Sequence, residues 1–141
     1  MQDDRELIRE LNHRYADSYD RNDPAGYVGT FTNGAVIDNS AIGLPAASGA
    51  AEIKKIFLAY RGQQTHTVHM VTNHLVDPAP ETADERAGQC YFYALSVLAD
   101  GSTSRLIGRY EDVYRRTPAG WRIHRRRLVP LMPVETGGPE K

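Results

Sequence analysis

The stretch from Thr65 to Asp77, THTVHMVTNHLVD, holds three of the chain's five histidines. An imidazole is the natural general base near neutral pH, so histidines on a regular element are the first candidates for chemistry. The stretch is rich in β-branched residues and reads as a strand, along which side chains alternate between two faces. By that parity His69, Val71 and Asn73 share one face, and His66, Val68, Met70, Thr72 and His74 share the other. Both faces are mixed, and the pattern does not say which is inner. We expect His69 to point into a pocket. A metal bound by His66, His69 and His74 is disfavoured. Parity sets His69 opposite the other two, and His66 and His74 lie roughly 26 Å apart at about 3.3 Å per residue.

Other reactive types are sparse. Cys90 is the only cysteine, which excludes an intrachain disulfide and a cysteine metal cluster; it reads as a small core residue. His124 lies beside Arg125, Arg126 and Arg127, but the net charge of -1 and the lack of interleaved exposed aromatics argue against nucleic acid. No phosphate-binding glycine loop is present.

The elements that must position these residues follow from periodicity. Residues 3–21 predict an amphipathic helix with Leu7, Ile8, Leu11, Tyr15 and Tyr19 on its apolar stripe and Asp3 or Asp4 at its start. Asp23 and Pro24 open a short second helix running to about Phe31. Asn33-Gly34 reads as a turn and Ala35 to Asp38 as a short strand. Ser48 is placed to cap a third helix, 49–61, with Ile53, Ile56, Phe57 and Tyr60 as its apolar positions and Gly62 as its stop. Strand 65–77 comes next. Three long β segments follow: 86–98, 103–116 and Trp121 to about Met132, with Asp100-Gly101 and Pro118-Ala119-Gly120 as turns. Residues 1–134 are expected to form one domain, and 135–141, with Gly137-Gly138-Pro139, a flexible tail.

Helices first, then a meander of long strands, is an α+β layout. A curved mixed or antiparallel sheet wrapped around the N-terminal helices would form a cone with an internal pocket. At 141 residues with 40% hydrophobic content, the chain can bury one core and still enclose a small cavity. No window approaches the roughly 18 apolar residues of a membrane span. The charged N-terminus lacks the apolar run of a signal peptide, so a cytoplasmic protein is expected.

Three blocks together resemble the SnoaL-like branch of the nuclear transport factor 2-like (cystatin-like cone) superfamily. They are Tyr15-Ala16-Asp17-Ser18-Tyr19-Asp20-Arg21-Asn22-Asp23, then His66 to Asn73, then Gly108-Arg109-Tyr110-Glu111-Asp112 with Gly120-Trp121-Arg122-Ile123. The resemblance covers about residues 5–130. Its functional echoes include scytalone dehydratase, hexachlorocyclohexane dehydrochlorinase and bile acid 7α-dehydratase. The resemblance implies a helix aspartate at Asp20, a strand histidine at His69, functional tyrosines at Tyr15 or Tyr19, and a helper arginine near Arg126. The dehydrochlorinase's helper lysine would fall at Tyr15 and is absent. So is scytalone dehydratase's second histidine, because Tyr91 to Leu98 contains none.

The resemblance implies a His69–Asp20 base dyad, with Tyr15 or Tyr19 as hydrogen-bond donor and Arg126, Asn73 and Tyr110 as substrate contacts. The expected reaction is a dehydratase-like elimination or an isomerisation on a hydrophobic small molecule, needing no metal or other cofactor. A polyketide-type cyclase, an epoxide-opening enzyme and a non-catalytic binding domain are the alternatives. Epoxide opening would call on further carboxylates, with Asp38, Glu111 and Asp112 as candidates. No nucleic-acid or membrane partner is expected, and a homodimer or homotrimer is. Periodicity alone disagrees about Asp20: it lies roughly 150° from the apolar stripe at about 100° per residue, a solvated position.

Overall fold

The computed structural model describes residues 3–138. Helix α1, Asp4–Asp20, starts where the Asp3 carboxylate accepts the Glu6 backbone N–H at 2.9 Å. Its buried face carries Ile8, Leu11, Tyr15 and Ala16, together with the polar Asn12 and Ser18. Leu7, assigned to the stripe by spacing, is exposed. Helix α2, Pro24–Val28, is capped by Asp23 and is shorter than the sequence suggests. Phe31 already begins strand β1, Phe31–Asp38, which runs through the expected Asn33-Gly34 turn.

Strand β2, Ala47–Ser48, leads into helix α3, Gly49–Arg61. Ser48 makes no side-chain cap; instead its backbone N–H donates to the Glu52 carboxylate at 3.1 Å. Four long strands follow: β3 Gln64–Val76, β4 Glu85–Leu98, β5 Thr103–Thr117 and β6 Gly120–Pro130. Gly101, at φ +85°, makes the β4–β5 turn that few other residues would allow. Residues 135–137 depart from the expected flexible tail: strand β7, Glu135–Gly137, pairs with Thr103–Arg105 of β5. Residues 139–141 of that tail lie outside the described residues.

The strand order is β2-β1-β6-β5-β4-β3, with β7 continuing alongside β5. Neighbours are antiparallel except β1 and β6, so the sheet is mixed. It is curved and unclosed, and the three helices fill its concave side. Register shifts in β1, β3 and β6 bend it, as bulges do. Ile8, Leu11, Ile53, Phe57, Phe92, Tyr110, Tyr114, Ile123 and Leu128 form the core between helices and sheet. Gly108 is required on β5, because a Cβ there would meet the Phe92 ring at 2.6 Å. That ring stacks on Tyr110 with centroids 4.2 Å apart.

Two bulges decide which polar side chains enter the core. On β3 the register slips between Thr72 and Leu75, with Asn73 at φ +51°. Thr67, His69 and Val71 therefore turn inward, but past the bulge His74 and Val76 replace Asn73 and Leu75. Asn73, expected to share the pocket face with His69, is exposed. On β6, Val113 pairs with Arg125 and Tyr114 with Ile123, leaving His124 as the extra residue. That shift turns Arg126, of the three consecutive arginines, fully inside.

Candidate active site

Between α1, α3 and the concave face of the sheet lies a cavity of about 250 Å³. Its walls are mainly aromatic and aliphatic, with Tyr15, Tyr19, Tyr27, Phe57, Phe92 and Tyr110 among them. Asn39, Gln64, Thr67, Ser96 and Ser104 add neutral polar groups, and His69 is on the wall.

His69 and Asp20 meet at two points. The His69 Nδ1 lies 2.8 Å from Asp20 Oδ1, and the His69 backbone N–H donates to Asp20 Oδ2 at 2.7 Å. The backbone contact exists because β3 is the last strand of the sheet, so its outer N–H groups have no ladder partner. Asp20, the last residue of α1, reaches that edge from a helix packed against β3. Its side chain thus faces the strand although helical spacing sets it away from the core stripe. With the carboxylate on Nδ1, the imidazole carries its neutral-form hydrogen there and leaves Nε2 unprotonated. The Tyr19 ring meets the imidazole edge-on, centroids 4.8 Å apart, and fixes its plane.

The expected tyrosines divide in role. Tyr19 donates its hydroxyl hydrogen to Gln64 Oε1 at 2.7 Å. Tyr15 instead accepts from the Tyr27 hydroxyl at 3.3 Å, which leaves its own hydrogen to be donated. Burial first, and Tyr15 next, raise the pKa of Tyr19, Tyr27 and Tyr110 above the ordinary value of 10, keeping these phenols protonated donors. Tyr27 is not singled out by the sequence; nothing in a five-residue helix distinguishes a site tyrosine from a packing one.

Arg126 and Asn73 are absent from the cavity wall, whereas Tyr110 lies on it. Arg126 is fully buried, with Nε 2.9 Å and Nη2 2.8 Å from the two oxygens of Asp112, and Nη2 also bonded to Asn12 Oδ1. The rings of Tyr15 and Tyr110 lie over its guanidinium at 4.4 and 4.1 Å. It supports the cavity's tyrosines from behind rather than facing the cavity. Burial opposes its charge, and Asp112 more than offsets this, holding it charged well above the ordinary arginine range. Tyr114 donates to Asp112 at 2.6 Å, and His74 Nε2 lies 3.3 Å from the Tyr114 oxygen.

Asp38, Glu111 and Asp112 also stay off the cavity wall. Asp38 accepts the Ser40 N–H, Glu111 pairs with Arg127 and Arg109, and Asp112 with Arg126. None of these three carboxylates is therefore placed to serve an epoxide-opening site in the cavity. The three β3 histidines go separate ways: His66 is exposed beside Thr65, His69 meets Asp20, and His74 joins the Asn12–Tyr114 cluster. Among the described residues no group of three or more His, Cys, Asp or Glu is gathered to hold a metal ion. Cys90 is buried, and burial first pushes its thiol up to about 12. No described helix is long and apolar enough to cross a membrane.

The SnoaL-like domain family matches residues 2–127. The chain belongs to the SnoaL-like domain family. Among solved structures, this SnoaL-like chain is similar to a candidate aromatic ring hydroxylase from Novosphingobium aromaticivorans. The two are 32% identical with a TM-score of 0.90, over 95% of this chain and 93% of that one. An NTF2-like protein with a cystatin-like fold from the same organism is 24% identical, TM-score 0.75, over 92% and 83% of the two chains. A type 2 hexachlorocyclohexane dehydrochlorinase is 14% identical, TM-score 0.82, over 95% and 88%. The last two show the shared cystatin-like cone alone. No curated protein matches the chain.

Proposed function

We propose that this SnoaL-like protein is a cofactor-independent lyase or isomerase in which His69 removes a proton from a neutral small molecule bound in the cone. The observation that carries this reading is the Asp20–His69 Nδ1 bond, with His69 on the cavity wall. Nε2 would take a proton from a substrate carbon. The C–H electron pair becomes the new double bond as a neighbouring halide departs with its own pair, or as a hydroxyl departs and takes the proton from the imidazolium to leave as water. In an isomerisation the pair shifts an existing double bond along the ring and the imidazolium returns its proton to the far carbon. Asp20 stabilises the imidazolium so formed. Tyr15, its hydrogen not used by Tyr27, donates to the leaving oxygen or to a carbonyl. A preorganised donor of this kind contributes several kcal/mol in a dry site.

Substrate form follows from the walls. Asp20 is spent on His69, and among the described residues no other charged side chain lines the cavity, which favours a neutral ligand. Aromatic walls and about 250 Å³ favour a compact ring. The aromatic ring in the description of the Novosphingobium relative agrees with that form. Replacing His69 by Ala should abolish turnover on such a substrate with the fold intact; retained turnover rejects the assignment.

The second reading is a binding domain without chemistry. It is favoured by the β4 segment facing the cavity, where Phe92, Ala94 and Ser96 offer no second histidine. In either case we propose a homodimer or homotrimer. The support is Val68, Met70 and Leu95, exposed together on the outer sheet face. Sedimentation of a monomer at micromolar concentration would reject it. A cytoplasmic setting belongs to the same reading, in keeping with the free, buried Cys90.

A further inference from the structure

Arg61 is the last residue of α3 and is buried. No carboxylate among the described residues pairs with it; its donors go to three backbone carbonyls. Nε donates to Tyr19 O at 2.8 Å, Nη2 to Asp20 O at 3.0 Å, and Nη1 to Gln64 O at 2.7 Å. Two of these acceptors belong to the last turn of α1, and the third to the first residue of β3. The last carbonyls of a helix have no intrahelical partner and carry its partial negative charge. The last turn of α1 holds no basic residue of its own, so α3 supplies the cation.

This placement bears on the dyad. Asp20 is the terminal residue of α1, where helices fray, yet its carboxylate must keep its place against His69 to within about 0.5 Å. The same guanidinium holds the peptide of Asp20 and the start of the strand that carries His69. It also sits 6.0 Å from the centre of the Tyr19 ring, which packs on the imidazole. We propose that Arg61 is the positioning residue of the Asp20–His69 pair: its three-way fork locks the end of α1 to β3. The inference rests on the dyad reading above. A lysine keeps the charge but is a point donor, and it cannot span three carbonyls in one plane.

The test is imidazole ¹⁵N NMR on wild type, R61K, R61M and D20N, with melting curves alongside. Wild type should show His69 as a single tautomer with its hydrogen on Nδ1 and a low-field Nδ1–H signal that D20N removes. In R61M and R61K that signal should broaden or vanish and the His69 tautomers mix, while His13, His66 and His124 keep their shifts. On an identified substrate, R61K should lower kcat by about 100-fold with little change in KM, the scale of a misplacement near 1 Å. If both variants fold with the wild-type His69 spectrum and differ only in melting temperature, Arg61 is structural and the proposal is overturned. Should R61M fail to fold, R61K decides alone by the same criterion. A wild-type spectrum that D20N leaves unchanged would overturn the dyad itself, and the positioning role with it. That result is distinct because it appears before position 61 is altered.

Discussion

Asp20 holds His69 by both its ring and its backbone. One carboxylate oxygen is 2.8 Å from Nδ1, and the other accepts the backbone N–H at 2.7 Å. The double contact ties the helix end to the strand and sets the ring's hydrogen in a single act. A carboxylate attached only to the ring could rotate with it; one also attached to the edge of β3 cannot.

This geometry makes Asp20→Asn informative. The asparagine oxygen would keep accepting the His69 backbone N–H, and its amide would then donate to Nδ1. The imidazole hydrogen would move to Nε2, and the base would be lost. We expect an intact fold, a melting temperature within a few degrees of wild type, and a kcat lower by about 10⁴, the scale of a reversed tautomer in comparable base pairs. Imidazole ¹⁵N shifts check the tautomer directly. Unchanged Nδ1 protonation in the variant would contradict the argument.

Arg126 and Asp112 predict a large stability effect. Both side chains are fully buried and joined by two hydrogen bonds. Arg126→Met leaves the Asp112 carboxylate without its partner, a loss of about 3–5 kcal/mol. Replacing Asp112 by Leu in the same chain should recover much of it, because the uncompensated charge goes too. Urea unfolding of the single and double variants measures the difference. A single variant within about 1 kcal/mol of wild type would contradict this reading.

His74 predicts an acid-side loss of stability. Burial first, and the charge of Arg9 next, lower its pKa from 6.5 to about 4. The unfolded chain takes up the proton below about pH 6.5, whereas the folded protein does so only near 4. The neutral ring therefore carries no penalty above pH 6.5, and stability falls as pH drops from 6.5 to 4, levelling below that. Allowing for solvent screening of a half-buried ring, the loss is about 1–2 kcal/mol. Denaturation at pH 7.5 and at pH 4.5, in wild type and His74→Gln, isolates the contribution. The variant should show the shallower pH slope.

The sequence by itself determined the succession of elements, since each depends on local chemistry. The Asp3 and Asp23 caps, the turns at Gly101 and Gly120, and the alternation of the long strands are all legible along the chain. So was the pairing of Asp20 with His69, though only through the resemblance of whole blocks, because helical spacing puts Asp20 on the solvent side. Tertiary structure decided the rest. Asp20 meets His69 because α1 ends beside an unpaired sheet edge, and no local pattern records which strand is last. Strand parity failed at Asn73 and would have failed to choose among Arg125, Arg126 and Arg127. In each case one bulged residue reverses every side chain beyond it, and the alternation of side chains along the strand does not say where the extra residue falls. The placement of Arg61 is likewise a tertiary matter. Its three acceptors are backbone carbonyls, two of them some forty residues away in α1, and carbonyls have no signature in the amino-acid sequence.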